Sequence, residues 1–333
     1  MAARGSKVLI LTVAVSCTAV GLAACGGGDG ERDRTKKAAA IVNRPIHPQP
    51  TATPVDVPPL QLNPKGKASG KAEAAGAEGA RSAWPSLRTA GIPQGKKLKR
   101  SGPITVHKDG TVIDGLEVQT EINIEANNVT VRNSHVLGAG EWSIIQRKGF
   151  SGLRVENTEI NGDGKHQAQF GILNFGGMLT VRRSYIHTVS DGIGTDQGLI
   201  EDSVILGPKE FPKDHIAAIA SNDGPAPGMT LVIRHNVLFN PLGQTSAVSI
   251  YQDFGRAHDV TLDNNLMAGG GYTLYAGKGK YGQSTNIKIT RNAFSTRYFK
   301  NSGAFGPVVS FEQGPGNVWS GNVWAESGKP VLP

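Results

Sequence analysis

Cysteine is nearly absent from this chain: its 333 residues hold two, Cys17 and Cys25, both close to the N-terminus. That excludes a disulfide framework or a cysteine-built metal centre for everything that follows, so the fold rests on packing and backbone hydrogen bonds. Helical patterning is missing too. No long window keeps apolar residues at helical spacing, because Gly or Asn interrupts each candidate. Nor does the body of the chain carry a basic excess. The formal charge of +8 resides in residues 26–100, with 14 Lys and Arg against 6 Asp and Glu. Residues 101–333 hold 19 against 21, so no nucleic-acid partner is expected, since that requires a basic face on the fold itself.

What the chain does have is repetition. A β-branched run, a corner-forming Asn, Ser or Thr and one more apolar residue recur at Val129–Val136, Leu153–Ile160, Leu179–Ile186 and Leu199–Ile205. The phrase continues at Leu231–Leu238, Val260–Met267, Ile287–Phe294 and Val318–Trp324, with a looser copy at Thr111–Val118. Taking Ser134, Thr158, Ser184, Ser203, Asn236, Asn265, Asn292 and Asn322 as equivalent, the unit is about 27 residues. Alternating apolar positions inside each phrase mark a strand with one buried face.

A second set of short strands lies between the phrases, for example Trp142–Arg147, Phe170–Phe175, Asp191–Asp196, His215–Ser221, Ala247–Asp253, Tyr272–Gly277 and Pro307–Gln313. Each coil thus holds at least two strands, and coils stack in parallel. Propeller blades are longer, with four strands each. The expected fold is all-β, a right-handed parallel β-helix of about eight to nine coils. The phrase-end Asn, Ser and Thr are read as corner residues able to pair up the axis.

Residues 1–24 read as a lipoprotein signal peptide: Arg4 and Lys7, an apolar stretch from Val8 to Leu22, then Leu22-Ala23-Ala24 before Cys25. The expectation is that Cys25 is lipidated, anchoring an exported protein to the outer face of the cell membrane. Residues 25–83 are rich in Ala, Gly, Pro and Lys without apolar periodicity and read as a disordered stalk, leaving 84–333 as the folded domain. The cationic stalk suits an anionic surface and equally suits a soluble linker.

On a repetitive column, chemistry falls to the outward side chains and the stretches between phrases. Ionisable groups concentrate there: Asp163, His187, Asp191, Asp196, Lys213, Asp214, His215, Tyr251, Asp253, Arg256, Tyr272, Tyr275 and Lys278. Stacking at roughly 4.8 Å per coil brings such groups to one side. A lyase acting on a uronic acid would use Lys213 or His215, beside Asp214, as base, Arg256 or Ca²⁺ to offset the enolate, and Tyr251 as acid. Hydrolysis would instead pair carboxylates among Asp191, Asp196 and Asp214. His187, Asp191, Asp253, Tyr272, Tyr275 and Lys278 are candidates for holding substrate. Asp163, Asp191, Asp196 and Asp214 are candidate oxygen ligands for Ca²⁺, while Asp163 and Asp191 also read as turn residues.

Thr89–Pro93, Thr111–Gly115, Asp214 before an apolar strand, Asp253–Gly255, Gly269–Tyr275 and Gly316–Trp324 resemble an actinobacterial group of secreted right-handed parallel β-helix proteins. The likeness runs from Trp84 to Pro333 and implies a pectate-lyase-like fold, with no assigned reaction to carry over. The group's His-Asn-Asp-Gly-Ile stretch maps onto Pro212–Ile216, where Pro212 and Lys213 depart from it. Paired Asp motifs of polygalacturonases and a pectate lyase core motif are absent. The expected function is a cell-surface, monomeric, carbohydrate-active protein, a lyase on an acidic extracellular polysaccharide. A glycoside hydrolase and a non-catalytic glycan- or wall-binding lipoprotein are the alternatives.

Overall fold

The computed structural model describes residues 84–212 and 214–333; the signal, Cys25, the stalk and Lys213 lie outside them. The described chain contains strands, turns and no helix, and so no helix able to cross a membrane. Its strands form three all-parallel sheets of 10, 9 and 9 strands. Every coil adds one strand to each sheet, and the result is a right-handed parallel β-helix. The expected fold class is therefore found, with three strands per coil.

The third strand was hidden inside the repeated phrase. In Val129–Val136 the chain runs as a third-sheet strand, Thr130–Arg132, turns, and leaves as a first-sheet strand, His135–Gly138. The turn is a single left-handed residue before the polar one: Asn133, Asn157, Arg183, Asp202, His235, Asn264 and Arg291 all have φ between 47° and 55°. Such a conformation costs about 1 kcal/mol for most residues. It is offset because the same residue's N–H donates to the next coil, as from Asn133 to the Glu156 carbonyl at 3.1 Å.

The polar residue that follows is buried and forms the expected ladder. The backbone N–H groups of Ser203, Asn236, Asn265 and Asn292 donate to the side-chain oxygens of Asn236, Asn265, Asn292 and Asn322, at 2.9 to 3.0 Å. Inside the column, stacked aliphatics such as Ile144, Ile172, Ile193, Ile219, Val248 and Leu274 form one continuous core. These occupy aligned second-sheet positions in successive coils.

The three outer faces differ. On the first sheet, Val204, Val237, Phe239, Leu266 and Ala293 form an apolar layer that Trp84, Ala90 and Tyr298 cover. The N-terminal segment is fixed there, with the Gly91 N–H on the Arg183 carbonyl at 2.9 Å. On the third sheet, Asp114, Arg132, Glu156, Arg182, Glu201, Arg234 and Asp263 stand in one register column of alternating sign. The second sheet is neither covered by that segment nor closed by such a ladder.

Candidate functional site

A cavity of about 370 Å³ opens where second-sheet strands of three successive coils end. Its position follows from side chains that tie one coil's turn to the next. Gln146 donates to the Asn174 side chain at 2.7 Å, and Asn174 donates to Thr195 Oγ1 at 3.0 Å. Thr195 in turn donates to the Gln197 carbonyl at 2.8 Å, closing the turn after the strand Asp191–Gly194. Gln197 spans two loops, donating to the Gly176 carbonyl and accepting from the Ala226 N–H.

Asp196 stands at the centre. Its Oδ1 accepts from Ser221 Oγ at 3.1 Å and from the Asn222 and Asp223 N–H groups at 2.8 and 3.0 Å. Its Oδ2 has no hydrogen bond among the described residues. Burial is the largest influence on this carboxyl. Together with the neighbouring Asp223 charge it outweighs the three bonds and lifts the pKa to about 6. With Oδ1 taken up by donors, the proton belongs on Oδ2.

Asp223 also lines the cavity and accepts from the Gly224 N–H at 2.8 Å. Its approach depends on two glycines: a side chain at Gly255 would strike the Asp223 carboxylate, and one at Gly224 would strike the His258 ring. His258 is oriented through Nδ1 by Asp259 at 2.8 Å. Phe170, Phe175 and Phe254 supply apolar walls, and Asn174, Gln197 and Asn222 supply amides. No Lys or Arg stands among the described lining residues.

The sequence candidates separate into groups. Asp191 and Asp214 are linked through Gln167 and Gln169, at the opposite end of the second-sheet strands. Asp214, buried, accepts from Ser190 Oγ and from Gln167 Nε2 at 2.8 Å. Gln167 also donates to Gln169, and Gln169 to Asp191 Oδ2 at 3.1 Å. Asp191 Oδ1 takes the Ala217 N–H at 2.8 Å. Burial raises the Asp214 carboxyl, against the Ser190 and Gln167 bonds. His215 adjoins it, half-buried. The turn reading of Asp191 is corrected: it opens a strand and is buried. Asp191 is in register with Ala217 of the next coil, so Asp214 precedes the matching strand.

Other expectations are corrected as well. His187 stands on the first sheet, stacked on Tyr185 at 4.3 Å and bonded to Glu159 at 3.2 Å, away from the second sheet. The four Asp expected around Ca²⁺ do not converge. Asp163 sits in an exposed turn, accepting the Lys165 and His166 N–H groups at 2.8 Å, while Asp191 and Asp214 lie at strand starts and Asp196 past a strand end. Among the described residues no three His, Cys, Asp or Glu side chains are grouped to hold a metal ion.

Tyr251 does not line the cavity; it packs against Tyr275, which packs against Tyr272. Arg256 and Lys278 are exposed and outside the lining, and Asp253 is half-buried beside it, its N–H on the Asn222 carbonyl at 2.9 Å. Lys213 lies outside the described residues. Sequence reasoning missed Asp223 and His258. Position after the strand was the available signal: Asn222-Asp223 directly follows the strand Ala217–Ser221 as Thr195-Asp196 directly follows Asp191–Gly194 one coil before. No family model, no curated protein and no solved structure matches this chain.

Proposed function

We propose that this β-helix is a carbohydrate-active surface protein that cleaves a glycosidic bond in the Asp196–Asp223 cavity. The observation that carries the reading is the paired carboxyls, one with its pKa raised to about 6, set among aromatic and amide side chains in a cavity at the ends of second-sheet strands. Asp196, protonated on Oδ2, is the general acid that gives its proton to the leaving oxygen. Asp223 faces the positive charge that develops on the sugar ring, and water adds at the anomeric carbon, its proton returning to Asp196. Phe175 and Phe254, both half-buried, pack against the ring faces.

Hydrolysis is favoured over elimination by charge. A lyase must neutralise the uronate carboxylate and its enolate, and the described lining offers two carboxyls and no guanidinium or ammonium group. The substrate is accordingly a neutral polysaccharide. Export and lipidation at Cys25 remain part of the proposal and would set the cavity facing extracellular polymer.

The test is release of reducing ends from glucan, xylan, mannan, galactan and arabinan by the purified protein, beside polyuronates monitored for unsaturated product. Cleavage of a neutral polymer that drops about 10³-fold in Asp196→Asn supports the proposal. Unsaturated product from a polyuronate, or full activity in Asp196→Asn, overturns it.

A further inference from the structure

Cutting one bond does not need what lies next to the cavity. Four aromatic rings follow one another along the second-sheet side: Phe305, Tyr272, Tyr275 and Tyr251. Their centroids are separated in turn by 5.8, 5.8 and 5.2 Å. Tyr272 and Tyr275 belong to the strand Tyr272–Ala276, where Tyr275 is in register with Ser249 on one side and Val309 on the other. At its Tyr251 end the row is joined to the cavity wall through the backbone. The Tyr251 N–H donates to the Ser221 carbonyl at 2.8 Å, beside Asn222, and Phe254, three residues on, bonds to the Asn222 carbonyl. Asn222 and Phe254 both line the cavity.

Rings that only consolidate a sheet end up covered, as Phe239 does under Tyr298 on the first sheet. These four are half-buried, each keeping part of its surface in solvent. Their spacing is comparable to the length of one sugar residue, and a ring face with a phenol edge suits the mixed apolar and polar surface of a sugar. We propose that the row is a binding track for consecutive residues of a neutral polysaccharide chain, delivering the next residue to the Asp196–Asp223 cavity. The substrate is then a polymer held at several residues, and short sugars occupy the cavity alone. This rests on the cavity being the cleavage site, and the test separates the two.

The test uses the full protein carrying Asp196→Asn, so that nothing turns over, titrated calorimetrically with cello-, xylo- and manno-oligosaccharides from disaccharide to hexasaccharide. In at least one series the hexasaccharide should bind roughly tenfold or more tighter than the disaccharide. Tyr272→Ala and Tyr275→Ala should remove that length dependence and leave disaccharide affinity unchanged, while Tyr272→Phe restores it; unchanged thermal unfolding shows that the fold persists. Affinity independent of length in every series, no binding at all, or a wild-type length dependence in both alanine variants overturns the track. If the length dependence and its loss are seen but wild-type protein cleaves no polymer, the track stands and the hydrolytic reading fails. If wild-type protein cleaves a disaccharide and a hexasaccharide with equal kcat/KM, and the alanine variants match it, cleavage stands and the track fails.

Discussion

The second and third sheets are made by the same coils, with the same number of strands, yet their outer faces have opposite characters. On the third sheet several charges are answered by a neighbour up the column, as Asp114 is by Arg132. Glu201, with 7 % of its side chain exposed, holds Arg182 on one side and Arg234 on the other, the latter at 2.6 Å. Arg291 forks onto Asp263 at 3.0 and 2.6 Å. On the second sheet the column is broken by small residues, aromatic rings and a carboxyl whose Oδ2 is left to a cavity.

The largest effect that would separate the faces is on activity. Asp196→Asn should lower turnover about 10³-fold, while Glu201→Gln leaves turnover unchanged, measured on the same polymer. A Glu201 variant that loses activity without losing stability would break the comparison.

Next in size is a change that strikes the frame both faces share. Asn265→Ala removes the acceptor for the Asn236 N–H and leaves the Ile233 carbonyl without its side-chain donor, both buried. It should cost about 3 kcal/mol in urea unfolding, and Asn265→Ser distinctly less. Glu201→Ala follows at about 2 kcal/mol, because two guanidinium groups lose a partner that is itself only 7 % exposed. The exposed Arg291–Asp263 pair should contribute only about 0.5 kcal/mol and fade with added salt.

A pH series sharpens the contrast. The folded-state pKa of Asp196, about 6, lies above the unfolded value of 3.8. Its contribution is therefore fully present below pH 3.8 and is lost as pH rises through about 6. Relative to wild type, Asp196→Asn should stabilise the protein at pH 8 by about 3 kcal/mol and have little effect at pH 3.5. As the general acid, Asp196 should also make activity fall above about pH 6. Denaturant midpoints at the two pH values check the first expectation, and a pH–rate profile the second.

The fold was legible because the repeat is an energetic necessity: coils that bury a face on one another must rewrite the same inward residues. The third strand escaped notice since alternation continues on either side of the corner. Val129, Val131, Ser134 and Val136 are all fully buried, and the three-residue step at Asn133 is the trace the corner leaves. The site was less legible. Asp196 was a candidate both as a hydrolytic carboxyl and as a metal ligand, without its partner Asp223, and Asp214 drew attention for its place in a long connection. What composition cannot convey is which end of a strand a carboxyl occupies and who has claimed its oxygens. Asp214 is held by Ser190 and Gln167, whereas Asp196 keeps Oδ2 for the cavity.

The central claim, that the outer face of the second sheet is the working one, is tested most directly by hydrogen exchange. Asp196→Asn protein would be followed by mass spectrometry with and without the hexasaccharide that binds best. Slowed exchange confined to residues 170–176, 194–197, 222–227 and 251–258, and extending to 272–276, is the result expected. Slowing centred on the third-sheet strands, or no change at any concentration that saturates binding, would contradict it.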